Sequence, residues 1–97
     1  MTTGNSSAAV PAATANAHVV FTDLDGVEGV VVDLNTRQYF TLNETACVVW
    51  RGITGARTLE EIASDISEAY EVSTEQAEAS TRALLAELAA LHLIALR

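Results

Sequence analysis

The sequence predicts an α+β domain of winged-helix-like arrangement, a three-stranded antiparallel meander followed by three helices. Three observations carry this expectation. Apolar and β-branched residues dominate from His18 to Leu42, broken by the turn-forming pairs Asp25-Gly26 and Asn35-Thr36. From Asn43 onward the apolar residues recur at helical spacing. Asn43, Thr58 and Ser73 each stand immediately before such a stripe, where a side-chain oxygen caps the first free backbone N–H groups.

Taken in order, residues 1–17 hold no charged side chain and consist mostly of Ala, Thr, Ser, Asn and Gly around Pro11. That composition supplies no core, so a flexible tail is expected over 1–17 and a folded domain over 18–97. His18-Val19-Val20-Phe21-Thr22 reads as the first strand and Val27 to Leu34 as the second. The third is Arg37 to Leu42, with Gln38, Phe40 and Leu42 on one face and Arg37, Tyr39 and Thr41 on the other. Asn43 caps a helix with the stripe Ala46, Val49, Trp50 and Ile53, and Gly52 and Gly55 signal its end. Thr58-Leu59-Glu60-Glu61 is a capping box for a second helix, whose stripe is Leu59, Ile62, Ala63, Ile66 and Tyr70. Ser73-Thr74-Glu75-Gln76 is another capping box and opens the longest helix, with Ala77, Thr81, Leu84, Leu85, Leu88 and Leu91 running on into Leu93-Ile94.

Composition excludes several functions. The 97 residues carry 13 acids against 5 arginines and no lysine, a formal net charge of −8. Such a chain is a poor match for nucleic acid, whose affinity comes from neutralising phosphates with Lys and Arg. A domain of this size buries only about 60% of its unfolded surface and houses one modest core rather than a deep catalytic cleft. No stretch approaches the ~20 apolar residues of a membrane span. Ala15-Asn16-Ala17 fits a small-x-small cleavage pattern, but no basic or apolar region precedes it, so a cytoplasmic location is expected.

Few residues carry chemistry. Cys47, the single cysteine, has apolar neighbours and reads as a core residue rather than a nucleophile, since His18 and His92 lie at opposite ends of the folded part and offer no obvious dyad. Asp23 and Asp25 lie before Gly26, but the bidentate acid of a calcium loop would fall at Leu34, so a hairpin turn explains them better. Trp50 and Tyr70 lie on apolar stripes and read as core, while Tyr39 fits either face of the meander. Seven acids and no base between Glu60 and Glu78 read as a solvated face, with an acidic partner-selecting patch as the alternative. No metal or cofactor is expected. What remains is an interaction surface. The Arg37–Leu42 strand, as a sheet edge beside the long helix, would accept one more strand from an extended peptide.

The chain also resembles a known family. Gly29 to Leu34, Thr36 to Ala46, Val49-Trp50, Gly55, Arg57-Thr58 and Glu61-Ile62 are similar to the PqqD-like family, also called RiPP recognition elements, where RiPP denotes a ribosomally made, post-translationally modified peptide. The Leu42-Asn43-x-x-Ala46 element with Trp50 and the Thr58 helix start is the most specific part. The resemblance covers about residues 18–94. It implies a non-catalytic protein that binds the leader segment of a precursor peptide as an added strand and presents it to a modifying enzyme or leader peptidase. It implicates Arg37, Gln38, Tyr39, Phe40, Thr41 and Leu42, and on the long helix Ala77, Ser80, Thr81, Leu84 and Leu88. Members that serve pyrroloquinoline quinone synthesis usually carry a Pro-Glu-Gly turn where this chain has Gln38-Tyr39-Phe40-Thr41. The Asp33-to-Phe40 pattern looks more like the stand-alone proteins of lasso-peptide clusters. Ser80 stands where an acid is frequent, and His92 where glycine is usual.

The sequence therefore points to a leader-peptide-binding adaptor, with lasso-peptide maturation favoured. Its expected partners are a precursor peptide and a peptidase or other modifying enzyme, without nucleic acid or membrane. The alternatives are a PqqD-type peptide chaperone for a radical enzyme in quinone-cofactor or other RiPP synthesis and, from another class, a winged-helix transcription regulator. An enzyme is disfavoured because no nucleophile–base pair can be assembled.

Overall fold

The computed structural model describes residues 10–96, in the order β1 (Ala13–Ala15), β2 (Val19–Asp23), β3 (Gly29–Asp33), β4 (Gln38–Leu42), α1 (Glu44–Thr54), α2 (Leu59–Tyr70), α3 (Thr74–Ala90) and β5 (Ile94–Leu96). The expected meander and three helices are present. β2, β3 and β4 pair antiparallel in that spatial order, with Phe21 opposite Val31 and Val31 opposite Phe40. The first turn is built by carboxylates: Asp23 Oδ1 accepts from the N–H of Gly26, and Asp25 Oδ1 from those of Val27 and Glu28. These donors hold the Asp25 carboxyl below its ordinary range, Glu28 more than Val27.

One sequence expectation fails. Residues 10–17 are not a tail: Ala13 to Ala15 form a strand paired antiparallel with Ile94 to Leu96, and Ala13 is only 1% exposed. Asn16 ties the segment down further, its N–H donating to the carbonyl of Leu93 and its Nδ2 to that of His92. Small residues fit here because β1 packs close against α1, and partnership with a distant strand leaves no local signal in composition. Residues 1–9 of the expected tail lie outside the described residues.

The core lies between the helices and one face of the meander. Val31 and Leu42 meet Ala46, Cys47, Val49, Trp50 and Ile53 of α1, Ile62, Ala63 and Ile66 of α2, and Ala77, Leu85 and Leu88 of α3. Trp50 is buried and stacks on Phe21 with ring centroids 6.2 Å apart, while Tyr70 is half-buried at the periphery. The three predicted caps are all formed, with Asn43, Thr58 and Ser73 accepting from the N–H groups of Ala46, Glu61 and Gln76. The reciprocal capping box closes at Thr58, whose N–H donates to Glu61 Oε1, while Ser73 makes the side-chain half of its box. Gly52, read as a helix end, instead sits inside α1 at its closest approach to α2. A Cβ there would lie 2.5 Å from Ile62 Cγ1.

Candidate functional site

The sheet leaves β4 at an open edge. In an antiparallel ladder, directly opposed residues alternate between exchanging hydrogen bonds and not doing so. The N–H groups of Leu34 and Leu24 donate to the carbonyls of His18 and Glu28, which assigns Val30 and Val32 to bonding with β2. Gly29, Val31 and Asp33 then bond to Leu42, Phe40 and Gln38 across the other ladder. Tyr39 and Thr41 are left with their N–H and C=O groups pointing out of the sheet. Both are exposed, Tyr39 at 72%, on the face away from the core.

Beside this edge runs a groove of ≈ 250 Å³. Phe40, Thr41, Leu42 and Asn43 form one wall, Ala46 of α1 the floor, and Leu84, Glu87, Leu88 and Leu91 of α3 the other wall. Leu91, the C-cap of α3, is 43% exposed at this opening, whereas Leu88 one turn earlier is buried. Two larger clefts, ≈ 420 and ≈ 450 Å³, lie under the Val10–Ala15 segment. Neither is lined by β4. The β4 groove is the one that adjoins both outward backbone groups and apolar surface.

The turn leading into β4 is fixed by Asp33. Its Oδ1 accepts from the N–H groups of Asn35 and Thr36, and Oδ2 lies 3.7 Å from His18 Nε2. Burial pushes this carboxyl up, but the Thr36 and Asn35 donors and the His18 charge outweigh it and hold it below the ordinary range. Arg37 closes the turn with φ 63°, its N–H donating to the Asp33 carbonyl.

A family model described as "Coenzyme PQQ synthesis protein D (PqqD)" matches residues 28–94, from the start of β3 to β5. The chain belongs to the PqqD family. Among solved structures, this PqqD-family chain is similar to TbiB1 in complex with the TbiA(beta) leader peptide, at 28% identity and a TM-score of 0.78, over 84% of this chain and 93% of that one. It is also similar in fold to lasso peptide synthetase B1 complexed with its leader peptide, at 22% identity and a TM-score of 0.76, over 88% and 98% of the two chains. No curated protein matches the sequence.

The structure divides the residues that the PqqD resemblance implicated. Phe40, Thr41, Leu42, Leu84 and Leu88 line one groove. Tyr39 and Gln38 lie exposed along the same edge, and Arg37 precedes it in the turn. Ser80 is exposed one turn before Leu84 on the same stripe of α3. Ala77 and Thr81 are not available to a ligand: both are fully buried, and the Thr81 hydroxyl donates to the Ala77 carbonyl within α3. They share the stripe of Leu84 and Leu88 but lie nearer the start of α3, where that stripe is covered. Asn43, Ala46, Glu87 and Leu91 were missed as lining residues. Leu91 was visible as the apolar residue one turn beyond Leu84 and Leu88, but Glu87 carried no sequence signal separating it from other solvated acids.

Cys47 is fully buried, and its thiol donates to the Leu42 carbonyl at 3.6 Å. Burial pushes the thiol pKa up, and the nearby Arg51 charge only partly opposes this, so the group is held neutral. Among the described residues no cluster of three or more His, Cys, Asp or Glu is arranged to hold a metal ion, and no helix is long and apolar enough to cross a membrane.

Proposed function

We propose that this chain is a non-catalytic adaptor of peptide biosynthesis. It takes up the leader segment of a ribosomally made precursor as an additional strand on β4 and presents it to a leader peptidase or other modifying enzyme in the cytoplasm. The observation that carries the reading is the pairing of an open β4 edge, with Tyr39 and Thr41 directed outward, and an apolar groove between that edge and α3. Backbone bonds supply affinity irrespective of sequence, and the groove sorts side chains. Membership of the PqqD family and the leader-bound state of the TbiB1 structure support the same reading. Lasso-peptide maturation is the favoured pathway, because both similar solved structures are leader complexes and one is a lasso peptide synthetase component. The family description favours a second reading, a peptide chaperone in quinone-cofactor synthesis. A transcription regulator is a poorer match. The exposed Arg82 of α3 lies 4.0 Å from Glu78, and Glu75 and Glu87 flank the same helix.

The test is fluorescence anisotropy with labelled candidate leader peptides, and labelled duplex DNA as the comparison. Tyr39→Pro removes an outward donor, whereas Phe40→Pro removes a donor to Val31. Tyr39→Pro is expected to keep the fold, by circular dichroism, and lose about five- to ten-fold in leader affinity, the worth of one backbone bond. Phe40→Pro is expected to destabilise the sheet itself. Unchanged affinity in folded Tyr39→Pro and Thr41→Pro proteins refutes strand addition.

A further inference from the structure

The groove lining is mostly apolar, with Thr41 and Asn43 as neutral polar residues and a single charge. Glu87, exposed on α3, is the charged residue among those lining the groove. Its carboxylate meets no cation among the described residues. Arg51 pairs with Asp23, Arg57 with Asp65 and Arg82 with Glu78, while Arg37 lies in the turn before the far end of β4. Among the described residues no ion pair engages Glu87, so its carboxylate is open to a cation on whatever binds the groove.

Strand addition fixes which ligand side chains reach this wall. Ligand residues beside Tyr39 and Thr41 share those residues' face, away from the core, and residues beside Phe40 and Leu42 turn inward. We propose that the groove selects an extended peptide with apolar side chains at the two alternate positions beside Phe40 and Leu42, and a lysine or arginine on that same face that reaches Glu87. The long stem of such a residue runs along Leu84 and Leu91 while its head pairs with the carboxylate at the rim. The inference rests on the strand-addition reading and adds the chemical class of its ligand.

The experiment is selection of a display library of randomised linear peptides on the full-length protein, with Glu87→Gln, Glu87→Lys and Tyr39→Pro selected in parallel. On the wild type, enrichment of apolar residues at alternate positions with Lys or Arg in phase is expected. The in-phase cation is expected to disappear from the Glu87→Gln selection and to be replaced by Asp or Glu in the Glu87→Lys selection. In an enriched peptide, changing that cation to Gln is expected to weaken wild-type binding about two- to five-fold at low salt and leave Glu87→Gln binding unchanged, as for a partly exposed ion pair. Peptides that depend on Tyr39 but show the same charges in all Glu87 backgrounds overturn the selectivity and leave strand addition standing. Enrichment that ignores Tyr39→Pro, or no enrichment at all, overturns both.

Discussion

Asp33 and Cys47 show how differently single residues declare themselves. Cys47 was legible from its apolar neighbours alone, and it is fully buried. Asp33, at the end of an apolar strand and the start of the Asp33-to-Phe40 pattern, was noted only as part of that resemblance, whereas its carboxylate organises the turn into β4 by accepting from Asn35 and Thr36 beside His18. Because the folded carboxyl is held below the ordinary aspartate value of 3.8, the stability it contributes is complete above that value and is lost as pH falls through the folded one. Asp33→Asn is therefore expected to be less stable than the wild type at neutral pH, with the gap closing in acid below about 3.8. Urea unfolding across a pH series checks this; a gap independent of pH contradicts it. The variant also tests the site, since a loosened turn releases the start of β4 and should weaken leader binding at neutral pH.

At the scale of elements, helix starts were more legible than helix stops, of which only that at Gly55 was announced by a glycine. Starts are announced by Asn43, Thr58 and Ser73 because a short polar side chain does the capping itself. Stops are usually announced by a glycine in the left-handed region, and here that region is filled by Ala56, Glu71 and His92, with φ of 59°, 54° and 61°. α1 and α3 close with paired backbone bonds, Ala56 to Ile53 and Arg57 to Gly52, then His92 to Ala89 and Leu93 to Leu88, the arrangement of a Schellman turn. Gly55 does mark the end of α1 as its C-cap, though with φ −85°, whereas Gly52 is not a stop and serves a close contact with Ile62. A side chain in the left-handed region costs about 1 kcal/mol that glycine avoids, partly offset by glycine's freer unfolded chain. His92→Gly is expected to raise stability by about 0.5–1 kcal/mol, read as an upward shift of the urea midpoint at constant slope. Its carbonyl still accepts from Asn16, so β1 should remain docked. A lowered midpoint would show that the His92 side chain contributes more than its backbone costs.

Over the whole molecule, charge and closure are arranged around the open edge. The acids between Glu60 and Glu78 lie on α2, its cap and the start of α3, whereas the groove at the other end of α3 carries Glu87 as its single charge. The meander, the three helices and the β4 edge were readable because they rest on local period and on turn chemistry. The β1–β5 pair was not, because its partners stand at opposite ends of the chain and its short strands, Ala13–Ala15 and Ile94–Leu96, carry no alternating pattern. This pair closes the domain: it covers Ile94, seals Ala13 against α1 and, through Asn16, holds the turn that ends α3. A chain beginning at His18 loses the backbone bonds of that ladder and exposes Ile94 and the neighbouring Leu93. It is expected to unfold at least about 2 kcal/mol more readily than the full chain in urea. Because none of the groove residues belongs to β1, the truncated protein should bind leader with unchanged affinity at temperatures where it remains folded. Equal stability of the two chains would return residues 10–17 to the role of a tail; loss of binding in the folded truncation would place part of the leader's contact on β1.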